Sequence, residues 1–189
     1  MLIPVIDDGL ERLLRDTLPL PSEQGDVSFD APSSAWSATV NRLTVNLYLY
    51  QVSRSGQPPR PPRTRTTADG RLERRGAQPM VELAYLVSAW AGSARDEHLL
   101  LGDVLTRLLA HEVLPADYLP RPLESSVQLL LAPDELNKPR EVWGGLGGQL
   151  KASFTLLATV AADAYDWRPT APGVREVLGA PSFLPSGAR

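Results

Sequence analysis

The chain has 189 residues, 43% hydrophobic and 22% charged, with a formal net charge of −3. That composition suits one globular domain with a real core and excludes a disordered or collagen-like chain. The absence of cysteine excludes a disulfide framework and thiolate metal sites, and no apolar run approaches the ~20 residues of a membrane helix.

Residues 3–18 place Val5, Ile6, Leu10, Leu13, Leu14 and Leu18 at helical spacing, with Asp7 and Asp8 early and Arg12 and Arg15 late. This predicts an amphipathic helix whose dipole is complemented at both ends and which Pro19 and Pro21 stop. With acids following its apolar start, the N-terminus is not expected to be a signal peptide. Residues 26–30 alternate like a short strand, broken at Ala31-Pro32-Ser33-Ser34. In 43–50, Leu43, Val45, Leu47 and Leu49 share one face and Thr44, Asn46, Tyr48 and Tyr50 the other, which predicts a half-covered sheet. A second strand is predicted over 80–90.

Ser93 and Asp96 have capping-box spacing ahead of Leu99, Leu100, Val104, Leu105, Leu108 and Leu109, a second amphipathic helix. Pro115, Pro120 and Pro122 mark an irregular connection. A strand is expected over 126–131, then a short helix from Pro139 carrying Val142 and Trp143 and ended by the glycines of 144–148. Residues 149–161 alternate, with Leu150, Ala152, Phe154, Leu156, Ala158 and Val160 on one face. A Pro/Gly-punctuated tail follows, with a helical possibility over 174–178. The expected fold is α+β, a mixed, largely antiparallel sheet flanked by amphipathic helices. The expected organisation is one domain over 1–162 and an extension over 163–189.

Between the two long strands lies a basic, proline-rich stretch, 53–78. Its seven arginines face only Asp69 and Glu73, a formal charge of +5, which leaves −8 for the rest of the chain. Structureless loops longer than ~12–15 residues are uncommon in compact domains and are usually functional or disordered. Two readings stand: a solvated arm without structure of its own, or an arm that orders on a partner through arginine forks. Nucleic acid fits poorly, because the stretch lacks an aromatic residue to stack bases and the remainder is acidic.

Catalytic patterns are absent from the sequence. The only histidines, His98 and His111, lack the spacing of a metal pair and read as helix-surface or helix-end residues. Gly144–Gly148 follows a helix and precedes a strand, the reverse of a phosphate-binding loop, and reads as a helix C-cap with a tight turn. Asp7–Asp8 and Asp163/Asp166 read as ordinary solvated or helix-terminal acids, and Tyr48, Tyr50, Tyr85 and Trp90 as sheet-face packing.

Several strings are distinctive: Val27-Ser28-Phe29-Asp30-Ala31-Pro32, Trp36, Asn46-Leu47-Tyr48-Leu49-Tyr50, Leu83-Ala84-Tyr85-Leu86-Val87-Ser88-Ala89-Trp90, Glu97-His98-Leu99-Leu100-Leu101-Gly102, and Val142-Trp143 before Leu146-Gly147. Over about residues 2–161 the chain resembles the cap, or tail-terminator, family of extracellular contractile injection systems of the Photorhabdus virulence cassette and antifeeding prophage type. The resemblance implies a phage tail-terminator-like fold and a six-fold ring on the baseplate-distal end of the inner tube. There it would stop tube and sheath polymerisation and anchor the sheath. It implies no enzyme activity, no catalytic residues and no cofactor. Partners would be further copies of itself, inner-tube protein and sheath protein, with no nucleic acid and no membrane insertion. Assembly would be cytoplasmic, in a particle that stays inside or is released.

On chemistry alone, Arg60, Arg63, Arg65, Arg71, Arg74 and Arg75 are candidate contacts to tube or sheath. Trp167 and Phe183 are candidates for a partner-clasping arm, or for packing back on their own domain. An adaptor or tail-completion role elsewhere on the particle, and a small enzyme with an unrecognised site, stay open as alternatives.

Overall fold

The computed structural model describes residues 2–20, 25–133, 139–147 and 150–170. The expected α+β architecture is present. Helix α1 (Ile3–Thr17) precedes strand β1 (Gly25–Ser28), a short helix α2 (Ser34–Ser37) and the long strand β2 (Leu43–Arg54). Strands β3 (Arg63–Thr66), β4 (Leu72–Arg75) and β5 (Met80–Trp90) lead to helix α3 (Ala94–Leu109). After it come β6 (Val113–Leu114), β7 (Val127–Leu131), helix α4 (Pro139–Leu146), β8 (Ser153–Ala161) and β9 (Arg168–Pro169). The main sheet has the order β1-β2-β5-β8-β7-β6, antiparallel except where β1 runs parallel to β2. A second sheet has the order β3-β4-β9.

Strand β5 sits centrally, and every residue from Leu83 to Trp90 is buried. One face of the main sheet carries Val45, Leu47, Tyr85, Val87, Leu156, Ala158 and Val160. Against it pack Ile6, Leu10, Leu13 and Leu14 of α1 and Leu100, Val104 and Leu108 of α3, the helical stripes of the sequence. Each fully buried leucine or isoleucine contributes about 1.5–3 kcal/mol. Gly9 allows the close approach of the segment after α3: a Cβ there would stand 2.9 Å from the Cδ2 atoms of Leu114 and Leu119.

The opposite face is more covered than alternation suggests. Leu86, Trp90 and Trp143 form a second buried cluster, with Trp36, Val40, Tyr48, Tyr50, Val142 and Leu146 packed against it. Trp90 stands edge-on to Trp36 at 5.2 Å and tilted to Trp143 at 6.2 Å. Two tryptophans are supplied by helices: Trp143 by α4, and Trp36 by α2 where only a break was expected. The Ser33 hydroxyl starts α2 by accepting from the Trp36 N–H at 3.2 Å. Toward β7 this face stays open, with Leu130 exposed.

Other expectations need correction. Helix α1 has no acid in its first turn, so only Arg15, in the last turn and 2.7 Å from Glu11, complements its dipole. Strand β1 ends at Ser28, before Phe29, whose ring meets Tyr85 edge-on at 6.5 Å. A two-residue strand, β6, lies within the proline-marked connection. In 149–161 the buried pattern begins only at β8; Leu150 is exposed, Gln149 lies outside the described residues, and Thr155, Leu157 and Thr159 bury the other face too. The expected helix over 174–178 lies outside the described residues.

Candidate interaction surface

The arginine stretch is neither bare nor waiting for a partner to order it. Strand β2 runs on to Arg54, and a β-bulge between Leu49 and Gln51 shifts its register against β5. Because side chains alternate, the extra residue switches faces. Val52 therefore stands opposite Leu83, on the α1 side, and lines an apolar groove of about 390 Å³ with Leu2, Ile3, Pro4, Val81, Leu83 and Ala162. Farther along, Arg60 and Gln78 exchange backbone hydrogen bonds of 2.8 and 3.0 Å. Beyond that bridge β3 and β4 form a hairpin whose turn contains Gly70 at φ +80°, and β9 adds the third strand. Alternating Thr and Arg in 63–66 was the available strand signal, masked by the flanking prolines.

Arg75 anchors this unit. It is buried, and its Nε donates to the Tyr165 carbonyl at 2.6 Å. Its terminal nitrogens reach Asp163 at 2.7 Å and Glu124 at 3.1 Å. Gln78 completes the junction: its Oε1 accepts from the Ala164 and Tyr165 N–H groups at 2.9 and 3.3 Å, and its Nε2 donates to the Tyr165 carbonyl at 3.1 Å. A buried guanidinium is tolerable when its donors are met in this way. Asp163, read from the sequence as a solvated acid, is one of these partners. Neither Gln78 nor Glu124 was singled out, since no local spacing links Gln78 to the backbone of 164–165 or Glu124 to the Arg75 guanidinium.

The remaining sequence candidates divide. Arg63 pairs with Glu124 at 3.5 Å, Arg65 with Glu73 at 2.8 Å and Arg71 with Asp69 at 3.0 Å. Trp167 lies under Arg65, 4.4 Å from guanidinium carbon to ring centroid, and 5.9 Å from Arg75, so it packs back on its own chain. Arg74 is exposed and sits directly opposite Arg168. Phe183 lies outside the described residues.

Elsewhere, polar groups serve packing. The Tyr85 hydroxyl donates to Asp7 at 2.7 Å under the sheet. Burial pushes the Asp7 carboxyl above its ordinary value, with the Asp8 charge adding to the rise and the Tyr85 bond opposing it. The Tyr85 phenol is likewise raised by burial, then by the adjacent Asp7 charge. Lys151 bonds to Glu97 and lies 4.4 Å over the Trp90 ring. Asn46 donates to the carbonyls of Asp30 at 2.9 Å and Ser28 at 3.3 Å, tying the end of β1 to β2. His98 is an exposed residue of α3, and His111 after it donates Nδ1–H to the Arg107 carbonyl at 2.8 Å. Helix α4 ends at Leu146, and Gly147 follows at φ +64°. Among the described residues no group of three or more His, Asp or Glu is placed to hold a metal ion, and no helix is long and apolar enough to cross a membrane.

Solved structures that share this architecture include a sheath/tube terminator and a tube-terminating cap. The sheath/tube terminator of the extracellular contractile injection system PVC, in its extended state, matches with a TM-score of 0.62 and 18% identity. The tube-terminating cap of the anti-feeding prophage matches with a TM-score of 0.59 and 17% identity. The alignments cover 100% and 99% of this chain but 65% and 62% of those proteins, so the chain spans a little under two thirds of their length. No curated protein matches significantly. The family model of the Pvc16 N-terminal domain matches residues 5–176, nearly the whole sequence. The chain belongs to the Pvc16 N-terminal domain family.

Proposed function

We infer that this protein is a cap, or tail terminator, that closes the baseplate-distal end of a contractile injection particle. In that position it stops growth of the inner tube and sheath and anchors the sheath. The observation that carries this reading is family membership over residues 5–176, together with a fold shared along the whole chain with a sheath/tube terminator and a tube-terminating cap. The edges of the main sheet support it. A growing polymer end offers strand edges and open subunit faces that template further addition, and a terminator must match one face while presenting something different outward. Here β1 covers only Leu43–Asn46 of the long β2, which among the described residues leaves 47–54 as a strand edge available to match a subunit face, while at its other end the sheet closes in β6, two residues long.

The reading includes a ring of six copies, contacts to tube and sheath protein, assembly in the cytoplasm and a purely structural action. Its test is immunogold electron microscopy of contractile particles from a producing strain, with antibody to this chain. Gold confined to the end opposite the baseplate is the expected result. Label along the shaft, at the baseplate or absent from the particle would overturn the cap reading, and baseplate label would favour an adaptor.

A further inference from the structure

We propose that the outward face of the β3–β4–β9 sheet, centred on the Arg74–Arg168 pair, is a docking surface for a carboxylate-rich protein surface. The register separates the two faces, because residues directly opposite one another project from the same side. Arg63 opposite Arg75, and Arg65 opposite Glu73, lie on the inner side. There each arginine ends on a carboxylate: Arg63 and Arg75 on Glu124, Arg75 also on Asp163, and Arg65 on Glu73. Trp167 lies against Arg65 and Arg75. The other side carries Thr64 opposite Arg74, Arg74 opposite Arg168, and Thr66 opposite Leu72. Arg74 and Arg168 are exposed and have no carboxylate within ion-pair distance among the described residues, while Leu72 beside them is 40% exposed.

Like charges placed directly opposite on a sheet destabilise it. Among the described residues the inner arginines of this small sheet are matched and the outer pair is not, which leaves its counter-charge to another molecule. Guanidinium groups pair most effectively with planar anions. Protein carboxylates fit better than nucleic acid on two grounds. The outer face carries no aromatic side chain for base stacking, and the formal −8 of the chain outside 53–78 opposes an extended duplex of phosphates more than a local cluster of carboxylates. Exposed Leu72 between flanking charges suits an acidic protein segment bearing an apolar residue.

The proposal deepens the cap reading, on which it rests only for the partner being a particle subunit. Its test measures retention of the purified protein on immobilised poly-L-glutamate across a salt series, with short duplex DNA as competitor. R74S/R168S removes the outer pair; R12S/R95S removes the same charge from exposed helix positions. Wild type and R12S/R95S should bind alike, with salt-sensitive retention, and R74S/R168S about tenfold more weakly if two exposed charge pairs contribute their usual amounts. Equal binding by R74S/R168S and wild type, or displacement of poly-L-glutamate by equimolar duplex DNA, would overturn the surface assignment. The same variants are then sedimented with isolated inner tubes and sheaths. If wild type binds neither while the poly-L-glutamate difference persists, the cap reading falls and the docking surface stands.

Discussion

The Arg75 guanidinium meets the Asp163 carboxylate at 2.7 Å across a sequence separation of 88 residues. With its bonds to Glu124 and to the Tyr165 carbonyl, one side chain ties the basic hairpin, the segment before β7 and the segment after β8 together. That junction makes a stretch with almost no apolar content part of the folded body, and it leaves the outer arginines displayed on a fixed frame.

Arg75→Met keeps the apolar stem and removes every one of those bonds. The expected cost is about 2 kcal/mol, the scale of charged hydrogen bonds lost from a buried position. Thermal melting measures it, and limited proteolysis should find the hairpin and residues 163–170 cut sooner. Arg75→Lys should fall between, because an ammonium cannot reach all three acceptors with a planar fork. Wild-type protease resistance in Arg75→Met would show that the hairpin is held by other contacts.

Stability should depend on pH through Asp7. Its folded carboxyl is raised above the ordinary 3.8, so between that value and the raised one the native state holds more proton than the unfolded chain. Its contribution is therefore most favourable below 3.8 and is lost as pH rises through the folded value. Asp7→Asn preserves an acceptor for the Tyr85 hydroxyl and removes the ionisation. The variant should be more stable than wild type at pH 7, with the advantage shrinking in acid. Parallel urea titrations at several pH values measure this; a constant difference would mean that Asp7 does not titrate differently on folding.

Helix α3 begins at a serine cap. The Ser93 hydroxyl accepts from the Asp96 N–H at 3.2 Å and donates to the Asp96 carboxylate at 2.7 Å. Ser93→Ala is expected to cost about 1 kcal/mol, read as a lowered urea midpoint with an unchanged slope.

Trp143 is 2% exposed and donates its indole N–H to Ser153 at 3.0 Å. Trp143→Ala should cost about 3–5 kcal/mol, since it opens a cavity in the smaller of the two cores. Trp36→Ala, at a half-buried position on the rim of the same cluster, should cost clearly less. Denaturation followed by circular dichroism compares the two, and equal losses would mean that α2 matters as much to this face as α4.

The elements with a local periodic cause were legible in the sequence. Helices α1 and α3 announced themselves through apolar stripes, much of β2 through alternation, β5 through a nearly continuous apolar run, and α4 through Pro139 at its start and glycine at its end. In each, the chain needs only its own neighbours to decide the type of the element. The signature strings likewise carried the family resemblance, which the family model bears out. Tertiary structure decided the rest. Alternation in β2 could not reveal that Trp36 and Trp143 would cover its polar-looking face, nor that a bulge would turn Val52 toward α1. Nor could the composition of 53–78 separate Arg75, buried among acceptors from two distant segments, from Arg74, left opposite Arg168 without one among the described residues. Charge is a property of the residue, but whether that charge is matched depends on which carboxylates the fold brings within reach.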